Sequence, residues 1–112
     1  MYGIPAGHRQ VVNYRIVELS FTDKPSELHC FGYEGCGRND WVWSTAIQTD
    51  TIKLVPELMD SKSYTFETSS GSCYVVNAYN EEDITYPSKE SLLTWFKADS
   101  LRILTEQEWE SI

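Results

Sequence analysis

Ser63-Tyr64-Thr65-Phe66-Glu67-Thr68 and Cys73-Tyr74-Val75-Val76-Asn77-Ala78-Tyr79 flank the short segment Ser69-Ser70-Gly71-Ser72. Both flanking runs are rich in β-branched and aromatic residues, whose side chains crowd a helix and fit a pleated strand. A Gly/Ser turn between two such runs closes a hairpin. Ser69, Ser70 and Ser72 serve that turn; no base stands beside them in sequence to make one a nucleophile.

On the N-terminal side, residues 1–9 contain Gly3, Pro5 and Gly7 and read as an irregular arm. From Gln10 to Phe21 the pattern alternates. Val12, Tyr14 and Ile16 are expected on one face and Val11, Val17, Leu19 and Phe21 on the other. A turn around Pro25 leads to a short return strand, Leu28 to Tyr33. Gly32, Gly35 and Gly37 then surround Cys36 in the most glycine-dense stretch, expected as a loop, since no phosphate-cradling motif is present. Trp41, Trp43, Thr45 and Ile47 share one face of the next strand. Thr51 to Leu54 is a further short strand, and Pro56 to Asp60 a helical turn.

On the C-terminal side, an acidic loop from Asn80 to Tyr86 precedes a helix opened by Pro87 and Ser88, with an apolar stripe of Leu92, Leu93 and Phe96. Leu101 to Ile103 is a last short strand. Thr105-Glu106-Gln107-Glu108 has the capping-box spacing, so a short terminal helix should follow, with Trp109 as its anchor. Strands followed by late helices read as α+β. The expected architecture is a bent antiparallel sheet, or a small partly open β-barrel, with one helix packed across it and a short terminal helix. At 112 residues the chain is a single acidic domain, 1–112, too short for two cores.

The formal net charge is −8, and it is unevenly spread. Residues 57–112 carry eleven acids against four bases, a net of −7, while residues 1–56 are nearly balanced. Nucleic-acid binding needs basic side chains to neutralise phosphates, so direct binding to DNA or RNA is not expected, and neither is docking on anionic lipid. No apolar run approaches a membrane span and the N-terminus has no apolar leader, so a cytoplasmic location is expected. An acidic field attracts basic protein surfaces.

Three cysteines, Cys30, Cys36 and Cys73, make an odd count that suits a reducing compartment. His29, Cys30 and Cys36 are the candidate ligands of a metal such as zinc. Their spacing departs from the usual zinc knuckle, and neighbours on an extended chain point opposite ways. No cofactor is therefore expected. No catalytic motif is present, which favours a non-enzymatic protein.

The candidate partner-binding residues are Glu81, Glu82 and Asp83, with Tyr79 and Tyr86 on either side, together with Trp41 and Trp43. Adjacent carboxylates steer a basic partner, and tyrosines and indoles supply contact area at low entropic cost. The expected function is that of a protein-binding module, an inhibitor or adaptor docking on a basic, nucleic-acid-binding partner; a small metal- or ligand-binding domain is the alternative. In size and compactness the chain is similar to the small accessory proteins of tailed bacteriophages, several of which inhibit host nucleases or defence enzymes. No individual residue carries that likeness.

Overall fold

A computed structural model describes residues 8–34, 41–55, 63–82, 84 and 88–112, with backbone alone at residues 8, 33, 34 and 41. In chain order the elements are β1 (His8–Ser20), β2 (Glu27–Glu34), β3 (Trp41–Trp43), β4 (Ile47–Val55), β5 (Ser63–Thr68), β6 (Cys73–Asn77), α1 (Lys89–Phe96), β7 (Ser100–Ile103) and α2 (Glu106–Glu110). The strands form one open sheet in the order β3-β2-β1-β6-β5-β4, with β7 also paired to β1. The expected α+β architecture is what the chain adopts. The helical turn expected over Pro56 to Asp60 lies outside the described residues.

The β5–β6 hairpin pairs Ser63 with Asn77 and Glu67 with Cys73. Its turn needs one residue at positive φ, and Gly71 supplies it at 87°. The turn closes through the Thr68 N–H donating to the Ser72 carbonyl at 3.0 Å and the Gly71 N–H donating to the Thr68 carbonyl at 2.9 Å.

The sheet is mixed rather than wholly antiparallel, because β6 runs parallel to β1. The antiparallel pairings β1–β2, β2–β3, β4–β5 and β5–β6 then give β3 and β4 the same direction. They are two parts of one bent run that leaves β2 and joins β5. The connection from Trp43 to Ile47 reaches at most ~14 Å. A flat sheet of this order would hold its two edges ~24 Å apart. The sheet must therefore curl until its edges nearly meet. The corner is hydrogen-bonded to both sides. Ser44 N–H donates to the Cys30 carbonyl at 2.9 Å, and Ser69 N–H donates to the Ala46 carbonyl at 2.7 Å.

A bulge in β1 overturns the simple alternation expected there. The register with β2 shifts between Val12 and Arg15, and Asn13 takes φ 50°. The extra residue moves Val11 to the same side as Tyr14 and Ile16, while Val17 and Leu19 keep the opposite side. Gly32 lies across from this bulge. A Cβ on it would stand 2.4 Å from Val11 Cγ1, so the close approach of the two strands requires glycine there.

The sheet has a core on each face. Val11, Tyr14, Ile16, Phe66, Tyr74 and Val76 pack on one side under Leu104 and Trp109. Val17, Leu19 and Phe31 pack on the other with Ile84 and Leu92. The helix α1 thus covers one face and α2 seals the other. α1 starts at Ser88, whose hydroxyl accepts from the Ser91 N–H, and ends at Lys97 in the left-handed region at φ 55°.

One edge of β1 is shared. Its first half, His8 to Val12, pairs with β6, and its last part, Val17 to Ser20, pairs with β7. Between them the ladder is completed by irregular chain. Asn80 N–H donates to the Tyr14 carbonyl at 2.9 Å, and Leu104 N–H donates to the Ile16 carbonyl at 2.9 Å. Ile16 N–H donates to the Tyr79 hydroxyl at 3.2 Å.

Candidate partner-binding face

Tyr79, at the end of the hairpin, is turned into the body. Its ring meets Tyr14 edge-on at 5.0 Å, and its hydroxyl donates to the Leu104 carbonyl at 2.6 Å while accepting from Ile16. Burial pushes the Tyr79 phenol up to about 12. Tyr79, half-buried, therefore acts as a strut across the β6–β7 gap.

Beyond it, the chain rises into the acidic loop. Glu82 N–H donates to Asn80 Oδ1 at 2.8 Å, the local side-chain bond that lets asparagine shape a turn. Arg15, only 5% exposed, reaches up from β1 and donates from Nε to the Glu82 carbonyl. A loop with adjacent acids is thus underpinned by a buried cation. Ile84 returns the chain to the second core. Glu81 and Glu82 are exposed at the tip. Asp83 and Tyr86 lie outside the described residues.

The loop does not stand alone. Glu81 Oε2 accepts the backbone N–H of Glu106 at 2.8 Å, one of the orphan donors at the start of α2. That bond, between residues 25 positions apart, brings together two acidic rows: Glu81 and Glu82 from the loop, Glu106, Glu108 and Glu110 from α2. α2 itself carries the expected capping box. Thr105 Oγ1 accepts from Glu108 N–H at 3.1 Å, and Thr105 N–H donates to Glu108 Oε1 at 2.9 Å. Trp109 is buried and donates from Nε1 to the Tyr14 hydroxyl at 2.8 Å. Burial holds the Tyr14 phenol far above its ordinary range, so that acceptor stays neutral.

Arg102 on β7 is the cation beside this face. Its Nη1 donates to both oxygens of Glu108, at 2.9 and 2.7 Å, and Nη2 donates to Glu18 Oε1 at 3.2 Å. The Glu108 carboxyl is held below its usual range first by the Thr105 N–H and then by Arg102. Neither Arg15 nor Arg102 is marked out by sequence. Arg102 meets Glu18 because the two are direct partners across β1 and β7, a pairing visible only once the strands are placed. The one sequence signal for Arg15 is a base set directly between Tyr14 and Ile16 in a strand with apolar alternation.

Of the two tryptophans, Trp43 has a described side chain. Trp43 is half-buried, stacked on His29 at 5.7 Å and packed against Phe96 at 5.2 Å and Phe31 at 5.9 Å. It belongs to the second core. The Trp41 side chain lies outside the described residues. On α1 the exposed indole is Trp95, 58% exposed.

His29 and Cys30 fall on opposite faces of β2. The His29 ring packs against both Trp43 and Phe96, and its Nδ1 donates to the Ser44 carbonyl at 2.8 Å. Its Nε2 faces Glu27 Oε1 at 3.1 Å. Cys30 lies in the first core, where burial pushes the thiol well above its ordinary range. These two side chains do not converge on one point, and Cys36 lies outside the described residues. Among the described residues no group of three His, Cys, Asp or Glu side chains could hold a metal ion, and no helix is long and apolar enough to cross a membrane.

Comparison with protein-family models, curated proteins and solved structures found no match to this chain.

Proposed function

We propose that this chain is a non-enzymatic protein-binding module, an inhibitor or adaptor, that docks on a basic surface of a nucleic-acid-binding protein through the face formed by Glu81, Glu82 and α2. The observation that carries this reading is the 2.8 Å bond from the Glu106 N–H to Glu81, which sets two acidic rows side by side. Carboxylates gathered on a braced frame act as a field that steers a cationic partner and raises its association rate.

The test replaces Glu81, Glu82 and Glu106 by Gln. Glutamine at position 81 retains an oxygen that accepts from the Glu106 N–H, so the geometry survives while the charge is lost. A partner retained from lysate at low salt, then purified, should associate about tenfold more slowly with the variant, with a flatter salt dependence. The melting temperature should be unchanged. Unaltered association kinetics would remove this face from the binding site.

A further inference from the structure

We infer that the groove beside this face, lined by Glu18, Ser26, Leu28, Arg102, Leu104, Glu108 and Ile112, is an anchoring subsite for a basic peptide segment in which an apolar side chain stands next to an arginine. The inference rests on the function proposed above and specifies the chemistry of the partner.

The groove has a volume of about 300 Å³. That is the lower end of the range for cavities that hold organic ligands, and it accommodates one or two side chains rather than a cofactor. Three of its lining residues are apolar. Leu104 is buried, Leu28 is half-buried, and Ile112 stands 53% exposed at the mouth. The Ile112 N–H donates to the Trp109 carbonyl at 3.3 Å, which ties this residue to the anchored end of α2. An apolar side chain entering here would cover Ile112 and gain the free energy of removing it from water.

The rim fixes the sign of the neighbour. Glu18 and Glu108 both line the groove, and the protein's own Arg102 bridges them with its guanidinium. Two carboxylates against one cation leave the rim negative. Glu18 Oε2 meets only the Ser26 hydroxyl among the described contacts, at a long 3.4 Å. Glu106 on α2, exposed, adds to the same field. An anionic segment would be repelled, and a neutral apolar one would gain nothing from the rim. A planar guanidinium matches carboxylates in the geometry that Arg102 already shows.

The experiment titrates two synthetic peptides into the full chain at low salt. One alternates arginine with leucine; the other has serine in place of each leucine. The leucine peptide should bind about tenfold more tightly and shift the amide resonances of Leu28, Arg102 and Ile112. Ile112→Ser should abolish the preference without changing the melting temperature or the salt dependence of the serine peptide. Equal affinity of the two peptides, or a preference that survives Ile112→Ser, overturns the groove while leaving the acidic face intact. Failure of both peptides to bind at low salt overturns both.

Discussion

Replacing Tyr79 by Phe removes one oxygen atom and keeps the ring that packs against Tyr14. That oxygen closes the gap in the β1 ladder: it accepts from Ile16 N–H and donates to the Leu104 carbonyl. Ile16 is fully buried and Leu104 is 4% exposed, so solvent has little access to either backbone group. Each lost bond is worth about 1 kcal/mol net, and a buried N–H left without a partner costs about 1–3 kcal/mol. The total is about 2–4 kcal/mol. A chain of 112 residues unfolds with an entropy of roughly 0.24 kcal/mol/K near its midpoint, which converts this loss to a fall of about 8–17 °C in melting temperature. Calorimetry of the parent and the variant is the assay. A fall of less than about 3 °C would refute the reasoning, because the hydroxyl would then not be completing the ladder. A partner-contact role for Tyr79 predicts the reverse pattern, an unchanged melting temperature and weaker binding.

Three further outcomes are expected. Gly32→Ala should lose about 1–3 kcal/mol in denaturant unfolding, since its methyl group would overlap Val11 Cγ1 and crowd the Tyr14 backbone. Thr105→Ala removes the acceptor for Glu108 N–H at the start of α2 and should cost about 0.5–2 kcal/mol, measured the same way. Stability should also decline in alkali. Tyr79 is raised to about 12 from an ordinary 10.0, so the unfolded chain gives up this proton first; stability is full below pH 10.0 and is lost as pH rises through about 12. Denaturation midpoints against pH, followed with phenolate absorbance, check this, and Tyr79→Phe should flatten the decline that this residue contributes.

The elements legible in the sequence are those set by local chemistry. The β5–β6 hairpin, the Ser88 cap of α1 and the Thr105 capping box each depend on residues a few positions apart, and each forms where its pattern lies. What stayed hidden depends on non-local pairing. Nothing local in Val11-Val12-Asn13-Tyr14-Arg15 announces a bulge, because the extra residue is defined only against β2. Gly32 falls within the expected strand Leu28 to Tyr33, but that its missing side chain makes room for Val11 shows only once β1 lies beside it. The parallel β1–β6 pair follows from the path of 41–55 around the sheet, which no short window of sequence contains. In the candidate site, the acids were legible as charge but their arrangement was not. Tyr79 resembled a surface aromatic because its neighbours are polar, yet its hydroxyl serves the backbone of a strand sixty-three residues away.

The acidic face and the core form one mechanical unit, and this assigns different tasks to carboxylates that look alike in sequence. A five-residue helix has no stability of its own, since forming its first turn costs more than its few internal bonds return. α2 persists because Trp109 is held in the first core by Tyr14, because Thr105 and Glu108 satisfy each other's backbone groups, and because Glu81 takes up the Glu106 N–H. Glu108 is therefore occupied twice over, by the cap and by Arg102, and its charge is largely answered within the molecule. The charges presented to a partner include those of Glu81, Glu82 and Glu106, with Glu18 at the groove beside them. The first three sit on a loop tied down by Tyr79, Arg15 and Ile84 and on a helix pinned by an indole, so little ordering remains to be done when a partner arrives. Neutralising Glu108 should then act on the fold of the C-terminus, while neutralising its neighbours should act on the rate of encounter.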